Sequence, residues 1–456
     1  MDRFVFYDFE TTGFDPAFDQ PLQFAAVVTD ADLNPIEEVN FRGRLAPHIL
    51  PYPVALAVNG VTAEMLTDLS LPGSYDFSRM IAKFIDDHTP AIWVGYNSID
   101  FDEEFFRQNF YQHLDPNIYR TQSNRNARMD ILLAVFACWH FGRPYLTIPR
   151  DVKGRLTSTL ERLAPANGFK GHDAHDALGD VKATLFIAKL VKDKDPKLWA
   201  DLLAHTDKKH VLAMFESGAP LMLVERFGAG APKAYVGAYC GTSSSNANQV
   251  GFFDLVRDDP ADFFACTDEE LDAAVEKSPK LIRSVGINKF PLIFSAPEVP
   301  TEIAARAAKL AARPDFHARV GAALARRYAD REPSPYVEKR IYEQFIDDAN
   351  RTLLLKFHGL AGPERLAQLQ VLTDGRLVEL GQRLICLDPA WGAPATALNA
   401  FGTYVRDKWN ASDEVPWCTF ADVESDLARI ESENLMDAKE LADLRAFYRS
   451  KLTEFS

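Results

Sequence analysis

The chain has 456 residues, 47% of them hydrophobic, enough for about two to four globular domains with their own cores, which excludes disorder as the default. No apolar run approaches the roughly 20 residues of a membrane-spanning helix. The start Met1-Asp2-Arg3 followed by Phe4-Val5-Phe6-Tyr7 lacks the parts of a secretory leader, so no membrane association is expected. Five widely spaced cysteines, an odd count, fit neither a disulfide framework nor a zinc site and point to a reducing cytoplasm. The formal net charge of −15 argues, taken alone, against nucleic acid, which usually selects a basic footprint. A local strip runs the other way: Lys309, Arg313, Arg319, Arg326, Arg327 and Arg331 face only Asp315 and Asp330 in the same stretch.

Arg3 to Phe9 is rich in aromatic and β-branched residues and reads as a first strand. Phe24–Val28 and Ile36–Arg44 follow as strands across short turns, which predicts an antiparallel meander. Asp76–Asp87 places Phe77, Met80, Ile81, Phe84 and Ile85 on one helical face. Ala91–Tyr96 is a short buried strand, and helices are expected around Asp102–Gln112, Asp130–Phe141, Thr159–Asn167 and Ala174–Lys192. This alternation predicts an α/β layer fold with a mixed sheet. A charged stretch ending in Pro196 marks a boundary near residue 195. Leu221–Arg226, Ala234–Tyr239, Gln249–Val256 and Pro291–Phe294 are short strand candidates of a small β-rich unit. From about Thr301 the chain is helical in character.

Three segments carry chemistry. Asp8 and Glu10 are two apart on the first strand, so their carboxylates share a face. Such a pair is mutually repulsive unless a cation sits between them, and hard oxygen ligands suit Mg²⁺ or Mn²⁺. Asp-x-Glu at a strand end is nevertheless common. Asn97-Ser98-Ile99-Asp100-Phe101-Asp102 follows the Ala91–Tyr96 strand, and either aspartate could merely cap the next helix. Asp100 reads as surface or cap. His175 and Asp180 lie five apart at the start of a late helix and can reach one site from its end, the histidine as a general base. His172 has Ala177 five residues on and reads as a loop residue. Asp173 and Asp176 read equally well as helix-start carboxylates.

Taken together, Asp-x-Glu-Thr, Asn-x-x-x-Phe-Asp and His-x-Ala-x-x-Asp occur in this order within the first 180 residues. The set resembles the DEDDh exonuclease superfamily, with its RNase H-like core; the tyrosine-type sister class would have Tyr in place of His175. Trp93–Asn97, Phe101–Glu104, Asp130–Leu133, Leu163 through Gly168, Ala174–Ala177 and Gly286-Ile287-Asn288-Lys289-Phe290-Pro291 are similar to the bacterial exonuclease I family in particular. That resemblance implies a nuclease domain over 1–195, an SH3-like β-rich domain with a helical extension over 196–345, and a C-terminal helical domain over 346–456. It implies two Mg²⁺ ions, with Mn²⁺ able to substitute, held by Asp8, Glu10, Asp180 and Asp102, and His175 as base. Glu10 and Thr11 are then substrate contacts. The implied reaction is 3′→5′ removal of nucleoside 5′-monophosphates from single-stranded DNA, in DNA repair and recombination. The implied partner is the acidic C-terminal tail of single-stranded DNA-binding protein; Arg143 is a candidate contact, with a basic residue of the 309–331 strip beside it, and reads equally well as a solvated loop arginine. A monomer is expected. Two other readings remain at this level: an exoribonuclease of the same superfamily, and an inactive nucleic-acid-binding module.

Overall fold

A computed structural model describes residues 3–171, 176–228, 230–296, 298–327 and 332–454. Strands β1 (Arg3–Thr11), β2 (Pro21–Asp30), β3 (Pro35–Arg42), β4 (Ile92–Gly95) and β5 (Ala127–Asp130) form one sheet in the order β3-β2-β1-β4-β5. The first three pair antiparallel, as the meander expectation requires, and β1/β4 and β4/β5 pair parallel, so the sheet is mixed.

Alternation along β1 divides the core. Val5, Tyr7 and Phe9 point to one face and pack with Phe77, Ile81, Trp93, Phe105 and Phe106. Phe4 and Phe6 point to the other and pack with Val27, Val181, Ala188 and Val191. That second face is covered by the helix Ala177–Lys194. At Asp195 the chain turns, its carboxylate accepts the Leu198 N–H, and Pro196 opens a new helix, Pro196–His205. This helix lies beyond the expected boundary, yet its Leu198, Trp199 and Leu202 bury in the same core as Phe4.

A second five-stranded sheet, entirely antiparallel, comprises β6 (Leu221–Glu225), β7 (Lys233–Thr242), β8 (Gln249–Asp254), β9 (Ile282–Gly286) and β10 (Ile293–Ser295) in the order β10-β6-β7-β8-β9. The helix Pro314–Arg326 lies so close to β7 that a Cβ on Gly241 would stand 2.3 Å from the His317 carbonyl oxygen, and one on Gly321 2.3 Å from that of Thr242. Both positions require glycine.

The remaining helices do not form a detached appendix. Phe401, Val405, Trp409, Val423 and Ile430 bury against Leu22, Leu45, Ile49 and Leu56 of the first unit. Leu354, Phe357, Leu377 and Leu380 bury with Tyr75, Tyr111 and Leu114. No helix among the described residues is long and apolar enough to cross a membrane.

The helix expected around Asp130–Phe141 is present as Ile131–His140, with Asp130, the last residue of β5, as its N-cap and Phe141 as its C-cap. One expectation needs correction: the 309–331 strip is not a free basic surface. Lys309 pairs with Asp259 (3.0 Å), Arg313 with Asp315 (2.6 Å), Arg319 with Asp268 (3.0 Å) and Arg326 with Asp272 (2.7 Å). Three of these four acids come from residues 259–272: Asp268 and Asp272 are brought alongside by the packing of the helix Asp268–Glu276 on Pro314–Arg326, and Asp259 by the packing of the turn Pro260–Phe263 on the helix Thr301–Ala311. Counting acids only within the stretch missed them. Arg331 and Asp330 lie outside the described residues.

Trp199→Ala should cost about 3–5 kcal/mol of stability, the usual range for truncating a buried aromatic, if the helix Pro196–His205 belongs to the first core. Urea denaturation measures this, and a loss below about 1 kcal/mol would detach that helix from the core.

Candidate active site

Asp8 and Glu10 stand on the same face of β1 as Phe4 and Phe6, past the point where apolar packing ends. The helix Ala177–Lys194 crosses that face and carries Asp180 in its first turn. The three residues each bring a carboxylate oxygen to within 4.8 Å of the other two. Among the described residues this is the one such group of acidic, histidine or cysteine side chains.

Asp102 approaches from the other side of β1. Parallel pairing with β4 runs only through Phe6, so the Phe9 N–H finds no β4 carbonyl and donates instead to Asp102 Oδ1 (3.2 Å). Asp102 begins the helix Asp102–Gln112 and is only 2% exposed. It lies outside the three-carboxylate group, but its charge acts on both Asp8 and Glu10. The loop before it is set by Asp130, whose carboxylate accepts the N–H groups of Asn97 (2.9 Å) and Ile99 (3.2 Å). Gly95 permits this fold-back, since a Cβ there would lie 2.4 Å from Ser98 Cβ.

The electrostatics are unfavourable for four ionised acids. Burial, then the charges of Asp102 and Glu10, raise the Asp8 carboxyl well above the usual range. Burial and the charges of Asp180 and Asp102 push Glu10 up to about 8, with Arg42 opposing. Burial, then Glu161 and Asp176, push Asp180 up to about 7. Asp102 is raised by burial, against the Phe9 hydrogen bond. These donors are the hard, anionic oxygens that a small divalent cation selects, and a cation among them would remove the repulsion that holds protons there. The residues therefore fit a divalent metal.

His172 and His175 lie outside the described residues. Thr11 is buried, with Oγ1 donating to the Gly13 carbonyl (2.7 Å) and its own carbonyl accepting from Asn59 (3.0 Å). Asp100 is exposed and pairs with Lys289 (3.2 Å), so the Gly286–Pro291 stretch docks onto the loop leading to Asp102. Arg143 lies far from the acids in sequence, beside Asp195 (2.9 Å) and over the Phe141 ring.

Sequence reasoning missed Gln23. It faces Glu10 across β2, is fully buried, and donates through Nε2 to Asp176 (2.9 Å) and Asn40 (2.8 Å). Arg42 stands 3.7 Å from the same Asp176. These two fix the start of the helix that carries Asp180. The available signal was a lone glutamine inside the otherwise apolar run Phe24–Val28 and its lead-in.

Residues 5–188 match the family model described as Exonuclease, so the fold and acid cluster define an exonuclease, a hydrolase of phosphodiester bonds. Exodeoxyribonuclease I of Escherichia coli (strain K12) is 31% identical over 391 residues, covering 78% of each chain. The structure of E. coli exonuclease I in complex with a dA16 oligonucleotide superposes with a TM-score of 0.84 at 25% identity, over the whole of both chains. A structure described as SSB/exonuclease I in complex with an inhibitor superposes with a TM-score of 0.82 at 26% identity, again over both whole chains. The chain belongs to the exodeoxyribonuclease I family.

The raised carboxyls set a stability profile. In the unfolded chain these acids titrate near 4, whereas the folded chain keeps protons on Glu10 and Asp180 up to about 8 and 7. Between those limits the folded state binds more protons, so stability of the cation-free protein falls as pH rises from about 4 to 8. A divalent cation replaces the protons, so its effect grows with pH. At a cation concentration a hundredfold above its Kd, Tm should rise by about 5–10 °C at pH 8 and by clearly less at pH 6. A thermal melt with and without Mg²⁺ at both pH values measures this; equal gains would contradict the assignment.

Proposed function

We propose that the chain removes nucleotides from the 3′ end of single-stranded DNA by cation-dependent hydrolysis, releasing nucleoside 5′-monophosphates in DNA repair and recombination. The observation that carries this reading is the three-carboxylate group on β1 and the helix Ala177–Lys194, inside a family named for DNA exonucleases. The solved relative bound to dA16 supports a single-stranded DNA substrate.

Asp8, Glu10 and Asp180 hold the cations, and Asp102 supports a second position from across β1. Two Mg²⁺ ions, with Mn²⁺ able to substitute, supply Lewis-acid polarisation of the scissile phosphate and a lowered pKa for the attacking water. His175, five residues before Asp180 in sequence, takes the proton of that water in its neutral form. Glu10 and Thr11 contact the terminal nucleotide; the Thr11 hydroxyl donates to Gly13 but keeps its acceptor lone pairs. Division into a nuclease unit that runs through the helix Pro196–His205, an SH3-like unit to about residue 345 and a helical unit over 346–456 gives the strand a groove closed over the acids, which favours a flexible single strand.

The C-terminal tail of single-stranded DNA-binding protein is the proposed partner, supported by the solved SSB/exonuclease I structure. An acidic, apolar tail needs a cation beside an apolar surface; Arg143 lies over the Phe141 ring, and the tail carboxylate would compete with Asp195, which pairs with Arg143 at 2.9 Å. Lys309, Arg319 and Arg326 of the strip, paired with Asp259, Asp268 and Asp272, contribute no second cation to this proposal.

Purified protein incubated with 3′-blocked and 5′-blocked single-stranded DNA, with and without Mg²⁺, tests the reaction. Degradation should need Mg²⁺ and stop only with the 3′ block; a matched RNA strand reports the sugar preference. Asp8→Ala or Asp180→Ala should abolish cleavage without lowering the Tm of the cation-free protein, because a repulsive charge is removed. Near-normal cleavage by either folded variant would overturn the site. His175→Ala should lower kcat by about 10²–10⁴-fold, with a smaller loss at high pH, and full rate at neutral pH would exclude it as the base. Titrating a labelled tail peptide should give weaker binding to Arg143→Ala than to the unsubstituted chain. Equal affinities remove Arg143 from the contact, and no binding to the unsubstituted chain removes the partner.

A further inference from the structure

Asp102 and Glu103 are consecutive at the start of one helix and both bond to β1. Asp102 accepts from the Phe9 N–H, and Glu103 Oε1 accepts from the Tyr7 hydroxyl (3.0 Å). The Glu103 carboxylate is almost completely buried and is the meeting point of a wider network. Its Oε2 accepts from Thr121 Oγ1 (2.8 Å) and from one Arg128 nitrogen (3.0 Å), and an Arg107 nitrogen stands 3.7 Å away. Arg128 is buried as well, and its other terminal nitrogen donates to the Asn288 carbonyl (2.6 Å) in the loop after β9. The same loop reaches Asp100 through Lys289. Arg107 also donates to the Tyr342 hydroxyl (3.3 Å), which itself bonds Glu104. The segment just ahead of the C-terminal helices therefore reaches the same helix turn.

A buried carboxylate with two guanidinium groups around it has one low-energy position, because moving it leaves buried charge uncompensated. The planar fork of Arg128 spans two partners at a fixed separation, which a lysine ammonium cannot do. We propose that Glu103 and Arg128 are positioning residues for Asp102, and that Arg128 ties docking of the 286–291 loop to the placement of the Asp102 carboxylate. Neither belongs to the three-carboxylate group. Each acts through the first helical turn, where a shift of the Glu103 side chain moves its neighbour. The inference rests on the reading of Asp102 as a member of the active acid set.

The test uses the full chain carrying Arg128→Met, Arg128→Lys and Asp102→Asn, singly and with each Arg128 change combined with Asp102→Asn. Readouts are kcat and KM on single-stranded DNA and the Mn²⁺ concentration at half-maximal Tm gain. Arg128→Met should lower kcat by about 10–100-fold, the usual cost of losing a group that orients a metal-site acid, with KM within about twofold and a raised Mn²⁺ midpoint. Arg128→Lys keeps a cation beside Glu103 but loses the fork, so its kcat should fall between. It carries the test if Arg128→Met does not fold. In the Asp102→Asn background neither change should move the Mn²⁺ midpoint further. Wild-type kcat in folded Arg128→Lys and Arg128→Met overturns the coupling, as does an equal midpoint shift with and without Asp102. Full activity in Asp102→Asn overturns the role of Asp102 and this coupling with it. A dead Asp102→Asn beside a fully active Arg128→Met overturns the coupling alone.

Discussion

Mutual repulsion among buried carboxylates is the constraint around which this molecule is arranged. Asp8, Glu10 and Asp180 are held within 4.8 Å of one another, and Asp102 adds its field from across the strand. Burial alone would drive them to bind protons, and their proximity drives them further. Such an arrangement persists only because the surrounding fold over-determines it. It is most easily relieved by a small divalent cation, which replaces several protons at once.

The over-determination is visible element by element. Period-2 alternation on β1 sends Phe4 and Phe6 into the core and leaves Asp8 and Glu10 at the end of the same face. Gln23 donates to Asp176 and Arg42 pairs with it at 3.7 Å, which together fix where the helix of Asp180 begins. Asp130 organises the turn that leads to Asp102. The loop that leaves β1 is clamped from outside: Phe18 lies against Tyr336 and Trp417, and Asp15 pairs with Lys339 (3.3 Å). The 336–339 turn and the Trp417 loop thus brace the loop that leaves the acid-bearing strand.

Much of this was legible in the sequence. The β1–β3 meander follows from strand propensity and turn residues, and its Asp-x-Glu pair from period-2 alternation. The later acids were legible as family motifs, and the structure brings Asp180, though not Asp102, into the same ligand-distance group. What stayed hidden is mostly long-range. The short helices Pro53–Val58 and Ala63–Thr67 have too few residues to show a period. The helix Asp268–Glu276 carried a readable signal, the capping box between Thr267 and Glu270, that a β-rich expectation for the segment overrode. That helix also supplies the acids that neutralise Arg319 and Arg326, so missing it led to the misreading of the 309–331 strip as a basic surface. Strand β5 was hidden because its four residues run straight into a helix at Asp130.

Whether the acid group on β1 and the helix Ala177–Lys194 binds a divalent cation is measured most directly by anomalous diffraction from crystals of the full chain grown with Mn²⁺ and a short single-stranded oligonucleotide. An anomalous peak coordinated by oxygens of Asp8, Glu10 and Asp180 is the expected result. A Mn²⁺ peak elsewhere with none between these carboxylates, under saturating cation, would contradict it.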